Sequence, residues 1–212
     1  MLWIGAGVGF LVLEAIVAVA FQPQYSYARD YISDLGVPTG GMSQDQMFDS
    51  PLAYLMNIAF YLQGTLFLAG AVLVVRAVGS RNAGLFLTLA SANAVGNILV
   101  GTFHSGPIAE LDGTAWVHRV GAALAIAGGN AAILAGSAIL RHASASRWYR
   151  AASCGLAAFG LMSLAMVVVG STTTAIIVLP HGVWERGSVY SIIGWQIFTA
   201  AYLLRWTERS SR

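Results

Sequence analysis

The sequence predicts an all-α fold, a polytopic membrane protein built as a six-transmembrane-helix bundle, and three observations carry that prediction. Only 9% of the 212 residues are charged, where an ordinary soluble chain carries about 25%, too few to build a surface for water. The 57% that are hydrophobic gather into six long runs, and most charges fall in the connections between them. A helix that crosses about 30 Å of hydrocarbon needs roughly 20 largely apolar residues, because every backbone group must be bonded internally there.

The runs lie near residues 2–21, 52–75, 83–103, 115–140, 151–169 and 188–204. The first contains Ala18-Val19-Ala20, which resembles a signal cleavage site, but it lacks a basic start and its apolar run is too long, so it is read as a retained span. No linker or internal repeat divides the chain, which predicts one domain over 1–212 with an interfacial loop segment near 22–50. Small residues allow close helix contact in lipid, and Gly121, Ala125, Gly128, Gly129 and Ala132 on the fourth run, with Gly155, Ala158 and Gly160 on the fifth, are read as packing faces.

Six spans put both termini on one side of the membrane. Arg76, Arg81, Arg141, Arg147, Arg150, Arg205, Arg209 and Arg212 fall on that side, and only Arg29, Arg119 and Arg186 on the other, which predicts cytoplasmic termini in a cell (inner) membrane. The opposite side receives Asp30, Asp34, Asp45, Asp49, Glu110, Asp112 and Glu185. The chain has no Lys and a net charge of only +2, which argues against nucleic-acid binding through a basic face. A lone Cys154 excludes an internal disulfide framework and a Cys-based zinc site.

His104, His118 and His181 fall at the non-cytoplasmic ends of different runs or in their connections. Asn93, Asn97, Gly101 and His104 form a stripe on the third run that should face the bundle interior, where its amides either join helices or line a wet cavity. Asn57, Gln63, Asn130 and Gln196 can serve in the same way. In the first loop, a helix would bring Tyr27, Asp30, Tyr31 and Asp34 onto one face, with Ser33 and Asp34 before Gly36 also fitting a turn or cap. Arg119 is read as an interface anchor, or as a cation that holds Asp34 or a ligand phosphate, a role for which Arg186 also qualifies. Glu14, alone in the body of a span, should be neutral or reach a polar neighbour.

Ser33-Asp34-Leu35-Gly36 after the first run, Gly101-Thr102-Phe103 closing the third, His118 opening the fourth and Gly182 through Arg186 before the sixth resemble the domain of unknown function 998 family. Those are bacterial and archaeal integral membrane proteins, and the likeness runs over nearly the whole chain. It implies six helices without an established reaction. In that pattern Pro follows the Gly-x-Phe step, where this chain has His104, so the resemblance supports Ser33, Asp34, His118 and Arg186 but not a shared metal site at His104.

Two functional readings stay open. The first is a membrane-embedded enzyme acting on a lipid or amphipathic substrate, with Asp34, His118 and Arg186 as catalytic candidates and Ser33, Asp30, Arg119 and Asn97 as ligand-binding candidates. His104, His118 and His181 would supply a three-His zinc site in that reading, although no spacing matches a specific metal motif. The second is a non-enzymatic protein for lipid binding, membrane assembly or transport. Membrane lipid and a small or amphipathic ligand are the partners expected, and protein partners are not indicated.

Overall fold

The computed structural model describes residues 1–38, 40–43, 46–80, 83–142, 145–172 and 179–210. Asp45, Arg81 and Arg212, assigned to sides above, lie outside these residues. Six long helices are apolar enough to cross a membrane: α1 (Leu2–Ala20), α2 (Ala53–Val78), α3 (Gly84–Thr102), α5 (Ala115–His142), α6 (Arg147–Thr172) and α7 (His181–Ser210). The chain is thus a multi-pass membrane protein. A five-residue helix, α4 (Pro107–Leu111), stands between α3 and α5, with Pro107 at a first-turn position where its missing N–H costs nothing. The helix α2 ends as its sequence dictates, at Gly79 with φ of 64°, whose N–H bonds the Val75 carbonyl at 3.0 Å.

Packing places α5 at the centre and α6 at the edge: 61% of the apolar window of α5 is buried against 22% for α6. Helix association in lipid gains little from hydrophobicity and depends on close fit. The α3–α5 contact is accordingly tight, and a Cβ added at Gly128 would lie 3.0 Å from the Asn93 backbone nitrogen. Gly160 packs on Asn130, but Gly155, expected on a packing face, looks into open space. At the end that carries the termini, Trp3, Phe67, Phe86 and Trp195 form an aromatic core. Both indoles are satisfied there, Trp3 donating to the Phe67 carbonyl at 3.0 Å and Trp195 to the Ser153 hydroxyl at 3.1 Å.

The opposite end is closed by the first connection, which takes the turn that Ser33 and Asp34 before Gly36 also fitted. The middle of this segment is not a helix through Asp34. Asp30 instead closes a turn, its Oδ2 accepting the Ser26 N–H at 2.7 Å, and only Ser33–Gly36 coils into one short 3-10 turn. Beyond it, β1 (Gly41–Ser43) and β2 (Gln46–Phe48) pair antiparallel, a hairpin that the sequence analysis did not foresee, and Gln22 and Asp49 exchange backbone bonds of 3.0 and 2.8 Å. Ile32, Leu35 and Val37 are buried against Phe10, Met56 and Phe60. Residues 25–37 therefore form a roof docked on the bundle.

The last helix starts at His181, seven residues before the expected run, so Glu185 and Arg186 are helical and inside the bundle. Their charges lowered the local hydropathy and moved the apparent start of the span past them.

Candidate functional site

The roof is fastened by consecutive residues of opposite charge at the start of α7. Glu185 accepts the backbone N–H groups of Ile32 and Ser33. Arg186 does the reverse, donating from Nη1 to the carbonyls of Tyr27 at 2.7 Å and Asp30 at 2.9 Å. Gly182 makes this approach sterically feasible, because a Cβ there would lie 2.5 Å from the Asp30 carbonyl oxygen. From α2, Asn57 donates to the Gly36 carbonyl at 3.0 Å, while Ser50 just before that helix donates to the Leu35 carbonyl at 2.7 Å. Each bond satisfies a backbone group that a buried turn would otherwise leave unpaired.

Beneath the roof lies a cavity of about 50 Å³. Ile32 and Ser33 line it from above, with Phe10, Phe60, Val100 and Val189 among its apolar walls. Its polar lining comes from Glu185, Gln63, Asn93 and Asn97. Gln63 and Asn93 are 4% and 2% exposed, and their side-chain oxygens Oε1 and Oδ1 have no hydrogen-bond partner. Buried polar atoms are normally paired, so two unpaired amide oxygens at one cavity mark a place where a donor is wanted.

A second buried cluster adjoins the roof. Arg186 Nη2 lies 3.3 Å from Glu14 Oε1, and Tyr190 donates to Glu14 Oε2 at 2.8 Å. Arg186 also bonds the Tyr25 hydroxyl, and its guanidinium carbon sits 4.8 Å from the centre of the Tyr27 ring. Tyr25 passes the connection on, donating to the Tyr31 carbonyl at 2.8 Å. Burial pushes the Tyr25 phenol well above its ordinary range. Burial, with Glu185 and Asp34 nearby, pushes the Tyr31 phenol up to about 12. Both phenols stay protonated at neutral pH and act as neutral hydrogen-bonding groups.

A family model described as a protein of unknown function (DUF998) matches residues 4–202. The chain belongs to that family. No curated protein matches it, and no solved structure does.

Within this DUF998 bundle the expected site residues fall into separate groups. Arg186 takes Glu14, not Asp34, as its carboxylate partner. Asp34 is buried in the roof, where its Oδ2 accepts the Tyr31 N–H at 2.9 Å, and it lies near enough to Glu185 for like charges to repel. His118 is 2.8 Å through Nδ1 from the Phe103 carbonyl. Ser33 and Asn97 do line the cavity together. Asp30 is used inside the roof, and Arg119 forms an exposed pair with Glu110 at 2.9 Å, consistent with a surface anchor.

The three-His zinc set is not assembled. His104 Nε2 lies 3.1 Å from Asn57 Nδ2, the His181 ring packs edgewise on Tyr31, and His118 is held at Phe103. Each imidazole has been drawn to a different neighbour. Among the described residues no group of three His, Cys, Asp or Glu is placed to hold a metal ion.

Sequence reasoning missed Glu185 as a site residue, counting it only as a loop acid. Its neighbour Arg186 inside the short Gly182-to-Arg186 motif was the available signal. Gln63 and Asn93 were noted as interior amides, but which of their atoms lack partners depends on contacts made across helices.

Proposed function

We propose that this DUF998 protein is a membrane-embedded binding protein, which takes a small amphipathic molecule into the cavity beneath residues 25–37. One observation carries the reading: Gln63 and Asn93, whose buried oxygens Oε1 and Oδ1 have no partner, line the same apolar-walled cavity as Glu185. Both amides also join helices through their nitrogens, and the combination of apolar walls with a few polar groups is that of a ligand pocket. The reading needs no catalytic step. Arg186 and His118, the strongest catalytic candidates in the sequence, are engaged in holding the roof and the end of α3.

In the same proposal the termini face the cytoplasm of a cell membrane, and the roof and cavity lie towards the opposite face. The excess of Arg at the termini end supports that orientation. Membrane lipid surrounds the outer helix faces, where Val12, Val19, Leu73 and Phe159 are exposed.

Thermal unfolding of the purified protein in neutral detergent tests the binding role, with short-chain alcohols, amides and amines added at millimolar concentration. At least one class should raise the midpoint in the native protein and fail to do so in Ala122→Phe, which fills the cavity from α5. Ala122→Val provides a milder filling if the larger variant does not fold. The reading falls if no class has an effect, or if the effect persists in both filled variants.

A further inference from the structure

Building on that binding role, we infer that the ligand is a small aliphatic primary ammonium ion, with Glu185 as its counter-ion. The argument begins with which amide atoms are already used. Gln63 Nε2 donates to Gln196 Oε1 at 2.5 Å, Asn93 Nδ2 to the Ala125 carbonyl at 2.6 Å, and Asn97 Nδ2 to the Asn93 carbonyl at 2.9 Å. Each of these nitrogens thus has a partner within the bundle. The atoms without a partner among the lining residues are a pair of amide oxygens, and the Glu185 carboxyl group belongs to the same lining. A ligand that satisfies them must bring donors, and an ammonium group brings three N–H bonds. A hydroxyl brings one donor and lone pairs that would face other oxygens.

Charge points the same way. Glu185 receives its roof bonds from neutral backbone N–H groups, while the guanidinium beside it in sequence is turned to Glu14, the Tyr25 hydroxyl and the roof carbonyls. Asp34 is a further carboxylate nearby. A carboxylate in so apolar a setting gains more from a cation than it would in water. Phe10 and Phe60, their ring centroids 5.7 Å apart, line the cavity and give it an apolar wall for a hydrocarbon tail.

Size and lining set the rest. A volume of about 50 Å³ corresponds to on the order of four waters, or a molecule of comparable bulk such as propylammonium. A bare metal cation would need a shell of oxygens, which walls made largely of Phe, Val, Ile and Ala do not supply. A quaternary ammonium would leave the amide oxygens without donors.

The test compares n-propylamine hydrochloride with n-propanol at neutral pH, at matched ionic strength, by calorimetric titration of the protein in neutral detergent. Propylammonium should bind about tenfold or more tightly than propanol, the margin of one charge-assisted bond. Glu185→Gln keeps an oxygen for the Ile32 N–H but removes the charge, and should abolish the preference. If that variant does not fold, Gln63→Met removes one acceptor and should weaken propylammonium about tenfold while leaving propanol unchanged. Equal binding of the two probes, an undiminished preference in Glu185→Gln, or an equivalent heat from potassium chloride alone would overturn the ammonium assignment and leave the cavity reading standing. Binding of neither probe would overturn the assignment, and the binding role itself falls with it if the amides also fail.

Discussion

Arg186 and Glu14 are 172 positions apart in the chain and meet at 3.3 Å inside the bundle. Neither charge would be tolerated alone at that depth, because an uncompensated ion in an apolar interior costs several kcal/mol. Each side chain makes the other acceptable, and Arg186 uses its remaining donors on the roof. Replacing Arg186 with Met or Glu14 with Ala should each destabilise the protein by about 3–5 kcal/mol. The double variant should lose clearly less than the sum, since it strands no buried charge. Unfolding in mixed micelles measures all three, and strict additivity would refute the pairing.

The α3–α5 contact gives a second prediction. Gly128→Val places a branched side chain against the Asn93 backbone and should cost about 1–3 kcal/mol through forced separation of the two helices. Gly155→Val, which meets nothing within 4 Å, should change stability by no more than about 0.5 kcal/mol. Comparable losses at both positions would mean that α3 and α5 are not packed as described.

His104 gives a pH dependence. Burial lowers the imidazole below its ordinary value of 6.5. Its Nε2 faces the Asn57 amide nitrogen, so the neutral ring accepts there and a protonated ring would set donor against donor. The folded state therefore favours the neutral form. The resulting stability is fully present above pH 6.5 and is lost as the pH falls through the lower folded value. His104→Gln should remove this part of the acid sensitivity, seen as a flatter plot of unfolding midpoint against pH. An identical slope in the variant would rule the contribution out.

The orientation can be checked by labelling. In a Cys154→Ser background, a membrane-impermeant maleimide added outside should reach Leu111→Cys, 88% exposed at the end of α4. It should not reach Trp148→Cys, 60% exposed near the start of α6, until the membrane is broken. The reverse pattern would place the roof and cavity on the cytoplasmic face.

The six spans were legible because hydrocarbon imposes one requirement on every crossing segment, and runs such as 2–21 meet it by composition alone. Residues 181–187 were missed as helix for the same reason, since Glu185 and Arg186 look like loop charges until their partners are known. Those partners, Ile32, Tyr27, Asp30 and Glu14, are far away in sequence, and local pattern contains no information about them. Asp34, His118 and Arg186 were expected to be neighbours because all lie near one end of the bundle. Sharing an end does not fix which carboxylate meets which cation, and Glu14 took the place assigned to Asp34 because it approaches Arg186 from a neighbouring helix. The imidazoles do not converge as a set of three for a related reason, each being held by a backbone carbonyl, an amide or a ring.

The fastening of the roof by Glu185 and Arg186 also fixes an order of events during biosynthesis. Residues 25–37 leave the ribosome well before α7, yet both of these clasps belong to that helix. A nascent chain with five helices inserted still has an open cleft, and only the arrival of the sixth shuts it. Truncation before residue 181 would remove that final step and leave Glu14 stranded without its counter-charge.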